Sequence, residues 1–215
     1  MSTGVDIVVR PTWRGWLHTA AFALAVPAGV LLIVASRSAA ARTGASIYVA
    51  GVLLGFGTSA AYHRLARSDR SRQVMQRLDH SMIYVLIAAS YTPICLVGLP
   101  LTWGIPILVV VWAGALFGVV LRLAAFDRLP RMGHALYLIL GWTAIVAAPV
   151  VVTHLTPTQV ALVVAGGVMY TVGMPVLITH WPNPWPATFG YHEVWHACTV
   201  AAGVCHFAAI SLLLR

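Results

Sequence analysis

Residues 191–200, YHEVWHACTV, set His192 and His196 four apart with Glu193 between them. On a helix that spacing puts both imidazoles on one face, a turn apart, where two nitrogens can reach one metal ion. The same H-E-x-x-H order marks soluble zinc proteases, whose glutamate is the general base. Two other segments carry related chemistry: FGTSAAYH (56–63) spaces Ser59 and His63 four apart, and RLDHSMIYV (77–85) contains Asp79. His63, His192 and His196 would offer three nitrogen ligands, and a water in the fourth position completes the open tetrahedron of a catalytic zinc site. Zinc lowers the pKa of such a water to about 7. Asp79 would accept a hydrogen bond from it or bind the metal itself.

Each residue also has a plainer reading. Asp79 can pair with Arg77, two residues before it. Ser59 can be a small residue that lets helices approach closely. Glu193 near a helix start complements the macrodipole. The protease reading is disfavoured, because a zinc protease needs a cleft that admits a polypeptide strand, and His192 opens an apolar run that reaches almost to Arg215. His206 lies ten residues past His196, about 15 Å along a helix axis, and is expected to pack or hydrogen-bond elsewhere. His18 has the right depth to support the site from behind. His80, His134, His154 and His180 read as interfacial.

The elements that must hold these groups are membrane helices. The chain has 215 residues, 60% hydrophobic and 8% charged, with mean hydropathy +0.87, whereas soluble domains carry roughly 25% charged residues. Seven apolar runs are long enough to span a bilayer: about 16–36, 44–64, 79–98, 101–122, 133–153, 158–179 and 191–214. They predict an all-α polytopic protein, residues 1–215 forming a single seven-helix transmembrane domain. Ionisable groups are expensive at membrane depth and mark function by default. His63 ends the second run, Asp79 begins the third and His192 begins the seventh, so all three are expected at one membrane face.

The net charge of +8 comes from arginine alone. Arg10, Arg14, Arg64, Arg67, Arg70, Arg72, Arg77, Arg122, Arg128 and Arg131 flank alternate connections, against Arg37, Arg42 and Arg215 on the other side. That asymmetry predicts a cytoplasmic N-terminus and an outside C-terminus, and it argues against nucleic acid as the partner of these charges. The basic stretch RLARSDRSRQVMQR (64–77) is expected as a connection on the anionic inner surface, and Trp13 and Trp16 as interfacial anchors beside Arg10 and Arg14. RSAAAR (37–42) looks like a signal-peptidase site, but the apolar run before it exceeds a signal peptide's length, so an uncleaved first helix is expected. Pro93 and Pro175 should kink their helices, and Thr188 is the expected N-cap of the last. Cys95, Cys198 and Cys205 lie in apolar runs as small hydrophobes.

SAAYHR (59–64), RLDHSMIYVLIAASYTP (77–93) and FGYHEVWH (189–196), in that order, strongly resemble the hemolysin III family, with RGWLH (14–18), GGVMYTVG (166–173) and HACTVAAGVCHFAAI (196–210) extending the likeness. That family belongs with the progestin and adiponectin receptors and the alkaline ceramidases, seven-helix membrane proteins. The resemblance implies zinc on His63, His192 and His196, with Asp79 and Ser59 about the catalytic water. It points to hydrolysis of a lipid amide or ester at the cytoplasmic face of a bacterial plasma membrane, with membrane lipids as partners and no protein partner or oligomeric state indicated. The alternative is a non-enzymatic membrane-homeostasis or lytic protein with a structural zinc. An ion transporter fits less well, since transporters string ionisable groups across the midplane and here they gather at one face.

Overall fold

The computed structural model describes residues 10–125 and 130–215; Arg128 lies outside the described residues. It is all-helical: α1 (Trp16–Ala35), α2 (Ala39–Leu65), α3 (Asp69–Pro93) continued by a π-helical turn (Ile94–Gly98), α4 (Leu101–Ala125), α5 (Pro130–Gly141), a 3₁₀ turn (Thr143–Ala147), α6 (Ala148–His154), α7 (Pro157–Thr179) and α8 (Tyr191–Leu214). Seven stretches are long and apolar enough to cross a membrane, the fifth being the composite Arg131–His154. The chain is a multi-pass membrane protein.

Helix starts follow local chemistry. Ser38 accepts from the Ala41 amide at the head of α2. Ser68 and Ser71 close a capping box on α3, and Thr156 and Gln159 close one on α7, with Pro157 at its first position, satisfying amides that a helix start leaves unpaired. The Ser68 box corrects the reading of residues 64–77 as a connection. Only Ala66–Ser68 link the helices, and α3 begins at Asp69, so Asp79 stands ten residues into α3 instead of opening it. Hydropathy missed these turns because their outward residues are polar, while the cap and the acidic first turn hold them helical.

The prolines act differently. After Pro93 the backbone widens into the π turn, whereas α7 is assigned as one helix through Pro175. The fifth span has a proline of its own, Pro149 at the start of α6, and its irregular turn lies just before it. Tyr91 of α3 inserts its hydroxyl into the helical ladder, donating to the Gly141 carbonyl (2.7 Å) and accepting from the Ala144 amide (2.9 Å). Insertion of a side chain into the i→i−4 ladder is a recognised cause of a helix break.

The core lies in two clusters, one of α1, α2 and α8 around Tyr48, Val52, Phe56 and Ile210, the other of α3, α4 and the fifth to seventh spans around Tyr84, Val111 and Leu140. Arg122, expected in a connection, is instead buried in α4, its Nε donating to the Tyr137 hydroxyl (3.2 Å). The three cysteines are unpaired, and Cys95 is buried.

Candidate metal centre

The end of α2 and the start of α8 bring three imidazoles together. His63, His192 and His196 each present a ligand atom within 4.8 Å of the others, and two of the three side chains are buried. The Nε2 atoms of His63 and His192 are 3.1 Å apart. Zn–N bonds of 2.0–2.1 Å place two nitrogens of a tetrahedral site about 3.3 Å apart, so this pair has the separation that one small divalent ion imposes. Buried His196 Nδ1 has no hydrogen-bond partner, and an unpaired buried polar atom is rare. The donor set fits a metal ion.

Asp79 joins from α3. Its Oδ2 lies 3.8 Å from His63 Nε2, and its side chain is 15% exposed. Arg77, the expected partner of Asp79, reaches instead to the Leu123 carbonyl (3.1 Å). Buried Ser59, one turn before His63, has a hydroxyl that closes no hydrogen bond of full geometry but lies close enough to the Asp79 carboxylate to act on it.

Glu193 is excluded as a general base by its partners. Arg14 Nε donates to Oε1 at 2.6 Å, and the Gly190 amide donates to Oε2 at 2.9 Å. The residue is fully buried. Both oxygens are committed, one to a charge-assisted bond and one to the helix start. Asn183 Oδ1 accepts from the Tyr191 amide (3.0 Å). These two side chains take the first amides of α8, so Gly190 caps the helix and Thr188 does not. Thr188 instead offers its carbonyl to the Trp13 amide (3.1 Å), beside the Thr12–Ala187 bond.

His18 lies against the triad, at the depth expected of it. Its ring stacks on His196 (centroids 3.8 Å apart, 13° between planes), and its Nε2 shares a hydrogen bond with Thr199 Oγ1 (2.9 Å). Gly15 lets the chain come this close. It has φ +83°, and a Cβ there would stand 2.6 Å from His63 Cβ; only glycine takes that conformation freely. His206 is absent from the cluster and turns to the Val163 carbonyl (3.3 Å). His154 and His180 are exposed, and His80 is half-buried within α3, its carbonyl accepting from Tyr137. The roles of Arg14 and Gly15 were not read from the sequence. The available signal was RGWLH, which puts an arginine four residues before the supporting histidine.

Chemically, the arrangement offers three neutral nitrogen donors, an adjacent carboxylate outside the triad and a serine hydroxyl, all at one edge of a membrane bundle. Residues 7–207 match the family described as Haemolysin-III related. The chain is 31% identical over 196 residues to the hemolysin-3 homolog of Bacillus subtilis (strain 168), covering 90% of this chain and 89% of that one. It is 29% identical over 192 residues to hemolysin-3 of Bacillus cereus, covering 87% and 84%. With a match across nearly its whole length, this seven-helix protein belongs to the hemolysin III family.

Proposed function

We propose that the chain is a zinc-dependent hydrolase of a lipid amide or ester bond, acting at the cytoplasmic edge of a bacterial plasma membrane. The observation that carries this reading is the open ligand set: three imidazoles suffice to hold an ion, and the Asp79 carboxylate waits beside them, 3.8 Å from His63. Zinc held by His63, His192 and His196 would supply Lewis acidity and acidify the water that hydrolysis consumes.

The rest falls to the chain. Asp79 Oδ2 takes the proton of the attacking water and returns it to the leaving nitrogen or oxygen. The Ser59 hydroxyl, one turn from His63, orients that carboxylate. His18 fixes the plane of the His196 ring by stacking on it. Glu193, saturated by Arg14 and Gly190, holds the start of α8 and moves no proton. The acyl chain lies in the apolar cavity of about 280 Å³ between α3, the fifth and sixth spans and α8, whose lining includes Trp195, the neighbour of His196.

The non-enzymatic reading takes lysis from the relatives' names, and no residue of this chain favours it over hydrolysis. Asp79→Asn separates the two. In proteoliposomes carrying a panel of amide and ester lipids, the variant should lose roughly 10²–10⁴-fold in turnover, with metal content and folding unchanged. A metal-loaded wild type that cleaves nothing in that panel overturns the hydrolase reading.

A further inference from the structure

A vestibule of about 580 Å³ opens beside the histidine triad, with His63 in its wall. Arg10, Arg14 and Arg72 line it together with Tyr62 and Asn183, and no carboxylate among the described residues belongs to the lining. The three guanidinium groups come from separate places: the segment before α1, the residue next to its cap, and the first turn of α3. Arginines that serve topology alone spread over a surface, as Arg67 and Arg70 do outside this lining. These three converge on one concavity.

Their charges are unequally compensated. Arg14 has Glu193 at 2.6 Å. Among the described residues Arg72 pairs only with Asp69, at 3.9 Å with side chains 57% and 97% exposed, a pairing that water largely screens. Arg10 donates to the His63 carbonyl, a neutral acceptor. Arg14, Arg72 and Arg64 lie close enough to Arg10 to repel its charge. Like charges collected in a concave site focus a positive field and draw an anion in. Planar guanidinium forks match phosphate oxygens in geometry.

We propose, building on the hydrolase reading, that this vestibule is a phosphate-binding subsite and that the lipid presented to the triad carries a phosphate headgroup. Arg10 and Arg72 hold the phosphate, while Arg14 adds its charge from the Glu193 pair. In a glycerophospholipid the acyl ester carbonyls lie a few bonds from the phosphate. A phosphate seated here therefore brings an ester toward His63 while the acyl chains extend into the bundle.

The test measures binding to the metal-loaded full-length Asp79→Asn variant, in which turnover is suppressed, in neutral detergent, with cleavage followed separately in the wild type. Calorimetric titrations use dioctanoyl phosphatidic acid, dioctanoylglycerol and inorganic phosphate. Phosphatidic acid should bind about tenfold or more tighter than either of the others, and more weakly as salt rises. Arg10→Gln and Arg72→Gln should each weaken it about five- to tenfold and leave dioctanoylglycerol unchanged. Arg72 is exposed at a helix start, so its variant reports binding without a folding defect. Equal affinity for the phosphorylated and neutral lipids, or undiminished affinity in both variants, overturns the subsite. Inorganic phosphate binding as tightly as phosphatidic acid overturns the lipid headgroup as its source. Selective binding through these arginines with no lipid cleaved would sink the hydrolase reading and leave the subsite standing. Cleavage of neutral lipids with no phosphate preference would do the reverse.

Discussion

The two sides of α3 face different interiors. On the side where α1, α2 and α8 gather the packing is close, and at its membrane edge polar: Gly15 sits on His63, His18 stacks on His196, and Arg14 reaches a fully buried glutamate. Twelve residues on from Asp79, Tyr91 meets the broken fifth span beside an apolar cavity of about 280 Å³. The first side fixes atoms to within a hydrogen bond, as a metal centre requires. The second leaves volume, which an apolar chain can fill. Unbroken helices accompany the fixed geometry, and the break accompanies the space.

Because the polar edge is held by paired charge, removing one partner should have the largest effect. Arg14→Met leaves the Glu193 carboxylate buried with only an amide for compensation, and should cost roughly 3–5 kcal/mol, as for other broken buried pairs. Thermal unfolding in detergent measures it. Adding Glu193→Gln should restore most of the loss, since the amide needs no counter-charge. A single variant as stable as wild type would show that the edge is not held by this pair.

The close side should also resist added volume. Gly51 of α2 faces α3 so tightly that a Cβ there would overlap the Ala89 methyl, with the α3 backbone directly behind it. Neither can swing aside, so the helices must part, and Gly51→Ala should cost about 1–3 kcal/mol by overpacking. Unchanged thermal stability would mean that α2 and α3 slide freely, and would remove the rigidity attributed to this side.

How much of this could be read from the sequence divides along the same line. The seven spans were legible because a bilayer forces long apolar runs. Asp79 and the three histidines were legible because ionisable groups inside such runs are costly. The four-residue spacing of His192 and His196 survives folding unchanged, since it is a property of the helix itself. What escaped depends on distant partners. Glu193 looks like a protease base until Arg14 arrives from 179 residues away. Arg122 looks like a loop cation until Tyr137 covers it. The fifth span looks continuous by length and hydropathy, although Pro149 removes a ladder bond within it, and the Tyr91 hydroxyl that enters the gap comes from α3. The early start of α3 was missed for a different reason: its polar first turns are held by a cap, and hydropathy does not register caps.

The open side supplies the smallest and most discriminating test. Gly167 of α7 lines the cavity, and a Cβ there would meet only the Trp142 ring edge at 3.7 Å, an ordinary contact. Alanine is the better helix former by about 1 kcal/mol, and the methyl enters space already present. Gly167→Ala should therefore raise stability by up to about 1 kcal/mol, opposite in sign to Gly51→Ala although the substitution is the same. If the cavity is where an acyl chain lies, the methyl also reduces the volume a bound lipid needs. Stability would then rise while the affinity for long-chain lipids falls and that for dioctanoyl lipids stays the same. Equal losses of stability at both glycines would mean that the two sides are packed alike, and the contrast between a fixed polar edge and a yielding apolar interior would go with it.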